Sequence, residues 1–245
     1  MVEKGSASDA PPHYDHNRYE IRRKVLQFLI RTVGFSLLAK VDSIQGQENI
    51  PKTGPAIVMI NHIAMIDPVV LLPFANRRIT PMAKIEVYNY PLVGILPRIY
   101  GVIPVRREEF DRRAIHQALD VLAAGEIILV APEGTRGPEL KQGKEGIAYL
   151  ASRSGAPIVP TALKGTRGFP ALRFTSRWRK PGVEIRFGPP FRYHQVYRKA
   201  RQETLRQMTD EAMFVLSSML PPEQRGFYRD LEKATQDTIE FVQGS

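Results

Sequence analysis

The chain has 245 residues, of which 43% are hydrophobic and 24% charged, a composition typical of a globular protein with one well-buried domain. It contains no cysteine, which excludes disulfide frameworks, thiolate metal clusters and cysteine nucleophiles. The net charge of +10 is compatible with nucleic acid, a membrane surface or an anionic substrate, so the distribution of the charge has to distinguish them.

The chain begins with a polar stretch that lacks the apolar run of a secretory signal, so we expect residues 1–16 to be a flexible terminus of a cytoplasmic protein. We assign residues 17–44 to an amphipathic, membrane-associating helix. Apolar residues recur there at steps of three and four, at Ile21, Val25, Phe28, Leu29, Val33 and Leu37.

Two locations are open for this helix. Arg31 divides its apolar residues into runs that are too short to span a bilayer, which takes about 20 residues. Six basic residues and one acidic residue between positions 18 and 40 favour an interfacial position, with Phe28 and Leu29 in the membrane. The alternative is that the apolar face packs on the domain.

Residues 45–225 alternate short apolar runs with helical patterns, which predicts a single α/β domain with a largely parallel central sheet flanked by helices. The tail, 226–245, is assigned as helical. The predicted strands are Ala56–Ile60, Ile79–Ala83, Val102–Val105, Ile127–Ala131, Ile158–Ala162 and Val183–Phe187. The predicted helices are Pro68–Ala75, Glu109–Ala124, Lys144–Ser154 and Gln202–Leu220.

A second basic segment, Lys164–Lys180, has six basic residues and no acidic one. Aromatic and basic side chains alternate in it, which suits an anionic lipid surface, although single-stranded nucleic acid would also accept it. We assign five of its residues to membrane contact: Arg173, Phe174, Arg177, Trp178 and Arg179.

The candidate catalytic pair is His62 and Asp67, five residues apart where a strand is expected to pass into a helix. If the turn folds back, Asp67 can accept the Nδ1 proton of His62 and leave Nε2 facing outward as a base. Asp67 can also act as the N-cap of a helix that begins with Pro68. A histidine and an aspartate at this spacing are, by themselves, a weak signal.

Three further blocks follow in order, and with them the sequence resembles the glycerolipid acyltransferase family, the 1-acyl-sn-glycerol-3-phosphate acyltransferases in particular. The family's N-H-x-x-x-x-D block is matched by residues 61–67, and its glycine, apolar strand and arginine by residues 101–107. Its P-E-G-T-R loop stands at 132–136, and its proline-containing strand at 156–162.

The resemblance implies that substrate is bound by Asn61, Arg107 and the loop residues Glu133, Gly134, Thr135 and Arg136. Two departures are visible: Ala64 stands where relatives often have serine, and Arg106 precedes Arg107. Because side chains on a strand alternate, only one of the two arginines can readily face the crevice, and Arg107 has the family's position. Glu133 is expected to accept a glycerol hydroxyl or to hold Arg136.

The family predicts transfer of an acyl group from acyl-CoA or acyl-carrier protein to 1-acyl-sn-glycerol 3-phosphate, with His62 as general base and with no metal or other cofactor. The implied partners are a lysophospholipid, an acyl thioester and an anionic membrane surface on the cytoplasmic face, with no nucleic acid. Two alternatives remain: another acceptor, such as glycerol 3-phosphate or another lysophospholipid, and a non-catalytic peripheral lipid-binding protein.

Overall fold

The computed structural model describes residues 14–15, 17–75, 77–91, 94–106, 111–194 and 201–242. Within these residues, nine strands form one sheet. The strands are β1 Val41–Gln45, β2 Ala56–Ile60, β3 Ile79–Lys84, β4 Ile103–Val105, β5 Ile127–Val130, β6 Ile158–Lys164, β7 Val183–Phe187, β8 Phe191–Tyr193 and β9 Ile239–Phe241.

The sheet is mostly parallel, as predicted. Its main path runs β1-β7-β6-β2-β5-β3-β4, and β8 and β9 continue from β6. The central strand β2 pairs in parallel with both β5 and β6, whereas β7 and β8 run antiparallel to β6. All five residues of β2 are fully buried, which is expected for a parallel strand covered on both faces.

Helices cover both faces of the sheet. They are α1 Glu20–Leu29, α2 Phe35–Leu37, α3 Asp67–Leu71, α4 Ile95–Tyr100, α5 Arg112–Ala123, α6 Gly146–Ser154 and α7 Gln202–Ser218. Helices α5, α6 and α7 pack on one face, which also receives Ile57 and Met59 of β2. The other face receives Val58 and Ile60 and is covered by α3 and by residues near the N-terminal helix.

The predicted N-terminal helix is present, but it ends at Leu37 and not at residue 44. Residues 17–37 run from a 3-10 turn through α1, a π-helical turn at Ile30–Gly34 and α2. Tyr14 corrects part of the assignment of a flexible terminus, because its side chain is buried and its hydroxyl donates to the carbonyl of Gly101. The remainder of that terminus, 1–13 and His16, lies outside the described residues.

Two assignments in the predicted domain division differ from the structure. Strand β1 belongs to the sheet through β7, so the domain begins at Val41 and not after residue 44. The assignment of a helical tail is wrong within 226–242, where short 3-10 turns lead to β9. Strand β9 pairs with β8, and Thr238 donates to the carboxylate of Glu211, which holds the tail extended.

Candidate active site and exposed apolar surface

The candidate site lies at the carboxyl ends of β2 and β5, which are parallel neighbours and therefore end at the same edge of the sheet. Asn61 and His62 directly follow β2, and the loop Pro132–Arg136 follows β5. The crevice beyond the carboxyl ends of strands is the usual ligand site in such sheets. The topology thus brings together the first and third sequence blocks.

The predicted contact between His62 and Asp67 is present. Nδ1 of His62 lies 2.9 Å from Oδ2 of Asp67. The side chain of His62 is 12% exposed, whereas that of Asp67 is fully buried. A carboxylate at this position fixes the tautomer with the proton on Nδ1, so that Nε2 can act as a base.

Asp67 has a further structural task that differs from the predicted cap. Its Oδ2 atom also accepts the backbone N–H groups of Ile63 at 2.7 Å and Ala64 at 2.8 Å. The N-cap of α3 is Ile66, and Asp67 is the first residue of the helix. The carboxylate of Asp67 therefore points back toward the His62 turn, where Oδ2 accepts all three of these hydrogen bonds.

Asn61 is placed differently from a substrate-binding residue. Its side chain is buried, donates from Nδ2 to the carbonyl of Leu163 at 2.9 Å, and accepts the N–H of Leu163 at 2.8 Å. The amide thus joins the end of β2 to β6 with both of its functional groups. We interpret Asn61 as a residue that fixes the strand end from which His62 projects.

The loop Pro132–Arg136 presents its last two side chains to solvent. Gly134 has φ of 66°, a left-handed conformation that favours glycine, and a Cβ there would lie 3.1 Å from Cε of Lys144. Thr135 and Arg136 are exposed beside it. Lys144 is a cation near this loop that the sequence blocks did not indicate.

Glu133 differs from these neighbours because it is only 4% exposed. Its Oε1 atom accepts the N–H of His62 at 3.0 Å, and Oε2 accepts the N–H of Lys141 at 2.9 Å. Burial raises the pKa of the Glu133 carboxyl, and these two hydrogen bonds oppose the rise. Its hydrogen bonds among the described residues go to backbone groups and not to Arg136, in contrast to the expectation.

Of the two arginines in the second block, the structure describes one. Arg106 follows β4, is exposed, and its N–H donates to the carboxylate of Asp111 at 2.8 Å. Arg107, the predicted phosphate-binding residue, lies outside the described residues, and its role stays a prediction.

The apolar face of the N-terminal helix is turned to solvent. Ile21 is 77% exposed and Phe28 65%, and Leu29 is also exposed. The alternative in which this face packs on the domain is therefore wrong. Exposed apolar residues are also present on α4, which contacts α1. We call the exposed apolar residues of the two the apolar stripe: Ile21, Val25, Phe28, Leu29, Val33, Leu37, Ile95 and Leu96.

The polar side of the helix holds it to the domain. Arg23 is 1% exposed and donates to the carbonyls of Tyr100 and Gly101 and to the hydroxyl of Tyr14. Gln27 donates to the hydroxyl of Tyr100. The guanidinium thus lies at the carboxyl end of α4, where the helix dipole favours a cation.

The second basic segment adjoins the same helix, because Ala171 donates its N–H to the carbonyl of Leu38 at 2.8 Å. Phe174 is 83% exposed, and Arg173 and Arg179 are exposed beside it. With Arg31, which is exposed on the helix, they supply cations near the stripe.

Two residues assigned to membrane contact are placed differently. Arg177 donates to the carbonyls of Gly165, Arg167 and Pro181. Trp178 is partly buried and donates to the carbonyl of Ala171 at 2.6 Å. Because the donors of both are committed to backbone carbonyls, these residues shape the segment. Its exposed large apolar side chains are Leu172 and Phe174.

No helix in the described part of the chain combines the length and apolarity needed to cross a bilayer.

The fold and the histidine–aspartate pair at its strand ends define an α/β domain of the acyltransferase class. Residues 43–164 match the model of the Acyltransferase family. The chain belongs to this family, which confirms the resemblance indicated by its four sequence blocks.

Similarity to individual relatives is moderate. The chain is 34% identical over 130 residues to the 1-acyl-sn-glycerol-3-phosphate acyltransferase of Borreliella burgdorferi, covering 51% of this chain and 52% of the relative. It is 33% identical over 114 residues to the lyso-ornithine lipid O-acyltransferase of Rhizobium meliloti, covering 44% of this chain and 38% of the relative.

A solved structure shares the fold over most of the chain. The 1-acyl-sn-glycerophosphate acyltransferase of Thermotoga maritima superposes with a TM-score of 0.57 at 26% identity, covering 79% of this chain and 78% of that one. The curated sequences are matched over less of their length, since the chain spans between about a third and a half of the first relatives it matches.

Proposed function

We propose that the protein transfers a fatty acyl group from acyl-CoA or acyl-carrier protein to the free hydroxyl of 1-acyl-sn-glycerol 3-phosphate, at the cytoplasmic face of a membrane. The observation that carries the proposal is the 2.9 Å contact between Nδ1 of His62 and the fully buried carboxylate of Asp67. The names of the Borreliella and Thermotoga relatives support the choice of acceptor.

The chemistry requires a base because an alcohol is almost un-ionised at neutral pH. Nε2 of His62 takes the hydroxyl proton as the new C–O bond forms at the thioester carbonyl, a contribution typically worth about 10²–10⁴-fold. Asp67 stabilises the resulting imidazolium. The C–S bond then breaks, and the imidazolium returns its proton to the departing thiolate, so no acyl-enzyme is needed.

The acceptor's phosphate calls for cations near this base. Arg136 is exposed on the loop that contacts the His62 peptide, and Arg107 has the family's position for the same task. The planar guanidinium of arginine can bind two phosphate oxygens at once. The acceptor would then lie between these cations and His62.

The membrane role is supported by the apolar stripe and the exposed Phe174 beside it. Residues Leu26 and Phe35 of the N-terminal helix pack in the same layer as Ala64 of the His62 turn, so the helix and the turn share one face of the sheet. Basic residues beside an apolar surface suit anionic headgroups, each adding about 1 kcal/mol near the surface.

An acceptor panel with one acyl-CoA tests the proposal. It comprises 1-acyl-sn-glycerol 3-phosphate, glycerol 3-phosphate, lysophosphatidylcholine and, because of the Rhizobium relative, a lyso-ornithine lipid. We expect the first acceptor to be used with the highest kcat/KM. A preference for another member would reassign the acceptor, and no turnover with any of them would favour the non-catalytic lipid-binding alternative.

A further inference from the structure

The loop that follows β5 binds both backbone polar groups of His62. Its N–H donates to Oε1 of Glu133 at 3.0 Å, and its carbonyl accepts the N–H of Gly137 at 2.9 Å. A base must lie within hydrogen-bond reach of the proton it removes, so the backbone position of His62 matters directly for catalysis. Asp67 orients the imidazole ring of His62, whereas this loop fixes the position of the His62 Cα atom.

The second oxygen of Glu133 extends the connection. Oε2 accepts the N–H of Lys141 at 2.9 Å. The preceding residue, Leu140, donates to the carbonyl of Gln224 at 2.9 Å and accepts the N–H of Phe227 at the same distance. Glu133 therefore links the His62 strand end to a loop that is itself braced by the C-terminal segment, beyond the region matched by the family model.

The burial of Glu133 is informative because a carboxylate that binds a glycerol hydroxyl should face the crevice. The side chain is almost inaccessible, and each oxygen is occupied by a backbone donor. A buried carboxylate is costly unless it is hydrogen-bonded, and the two N–H groups supply that stabilisation. The titratable groups that act on it are His62 and Lys141.

We propose that Glu133 is a positioning residue for His62, and that its carboxylate joins the His62 peptide to the Lys141 loop without contacting the acceptor. The inference rests on the proposed function of His62 as the base. It predicts that loss of the carboxylate displaces the base from the acceptor hydroxyl while the binding of the acceptor's phosphate is retained.

The kinetic test compares wild type with Glu133→Gln and Glu133→Asp, using Glu139→Gln as a control in the same loop, where Glu139 is exposed. In Glu133→Gln, an NH₂ group faces one of the two N–H donors, so one hydrogen bond is lost. In Glu133→Asp, the side chain is too short to reach the N–H groups of both His62 and Lys141. We expect kcat to fall at least about tenfold in both variants, with the KM for the acceptor changed less than about twofold, because positioning acts on the transition state. The control should match wild type.

A raised acceptor KM at unchanged kcat in Glu133→Gln would instead indicate direct substrate binding and overturn the proposal. A measurement that needs no turnover is amide hydrogen exchange at His62 and Lys141, followed by NMR. Both amides should exchange faster in the two Glu133 variants than in wild type or Glu139→Gln, and unchanged exchange at both would also overturn the proposal.

The two readouts distinguish a failure of the proposed function from a failure of the positioning role of Glu133. If wild type turns over no acceptor, the proposed function fails, yet amide exchange still tests the link made by Glu133. If Glu133→Gln does not fold, Glu133→Asp keeps the charge and supplies the same comparison.

Discussion

Oδ2 of Asp67 accepts from Nδ1 of His62 at 2.9 Å and also from the backbone N–H groups of Ile63 and Ala64. The same oxygen thus closes the turn and orients the base. Because the turn and the ring share one acceptor, substitutions of His62 and of Asp67 should have different structural consequences, although both impair catalysis.

For His62→Ala, we expect kcat to fall at least about 100-fold at unchanged folding, because a general base contributes about 10²–10⁴-fold. Initial rates with acyl-CoA, together with circular dichroism, measure both properties. His116→Ala is the matched control, since His116 is exposed on α5. Retention of more than about a tenth of wild-type turnover by His62→Ala would contradict the assigned mechanism.

For Asp67→Asn, we expect a severe loss of kcat, because an amide can hold the ring but carries no charge to stabilise the imidazolium. Asp67→Ala should also lower the free energy of unfolding, since it leaves the partly buried N–H donors of Ile63 and Ala64 without their acceptor, at up to about 1–3 kcal/mol each. Urea unfolding checks the difference between the two variants. An unfolding free energy of Asp67→Ala equal to that of wild type would mean that the turn does not depend on the carboxylate.

For Arg107→Ala, we expect chiefly a raised KM for a phosphorylated acceptor, with a smaller effect for Arg106→Ala. The reason is the family position of Arg107 and the alternation of side chains. Kinetics with acceptors that carry or lack the phosphate provide the measurement. A larger defect in Arg106→Ala would assign phosphate binding to Arg106. Defects that are equal for acceptors with and without the phosphate would exclude a phosphate-binding role for both arginines.

For Phe174→Ser, we expect weaker flotation with anionic liposomes that is not restored by low salt, because the lost contribution is apolar burial. Changing Arg173 and Arg179 together to Ser should instead remove the salt-dependent part of binding. Phe227→Ser is the matched control, an exposed phenylalanine that contacts Tyr228 in the layer on the other face of the sheet. Flotation of Phe174→Ser equal to wild type would exclude this residue from the interface.

For Arg23→Met, we expect a loss of a few kcal/mol in unfolding free energy, because the buried carbonyls of Tyr100 and Gly101 lose the guanidinium, and Gly101 keeps only the hydroxyl of Tyr14 as a side-chain donor. Methionine retains much of the packing volume. Arg22→Met, at an exposed position next to it, should be close to neutral. Chemical unfolding of the two variants side by side decides whether Arg23 anchors the helix.

Sequence patterns predicted the parts of the fold that are locally determined. Strands β2 and β7 begin and end where their apolar runs do, and the His62 turn closes as its spacing indicated. Strand β1 was missed because its polar residues become a strand only through pairing with β7. Strand β9 was missed for the same reason, since its partner β8 lies more than forty residues earlier.

The unpredicted parts of the site involve charged or polar groups that are buried by distant partners. Nothing in the P-E-G-T-R motif indicates that Glu133 faces inward, because the groups that donate to its carboxylate are the backbone N–H groups of His62 and Lys141, which lie outside the motif. Similarly, the basic residues of the N-terminal helix look alike in the sequence. Only the carbonyls at the end of α4 distinguish Arg23 from its neighbours.

The attachment of the N-terminal helix through Arg23 and Gln27 has a practical consequence for engineering. Because the helix is fixed by its polar side, the residues of the apolar stripe contribute little to the folded core. Replacing Ile21, Val25 and Phe28 with glutamine should therefore give a chain that keeps its fold and self-associates less in detergent-free buffer. Such a variant would permit crystallisation and solution kinetics with short-chain acceptors, separating the chemistry of the site from the requirement for a lipid surface.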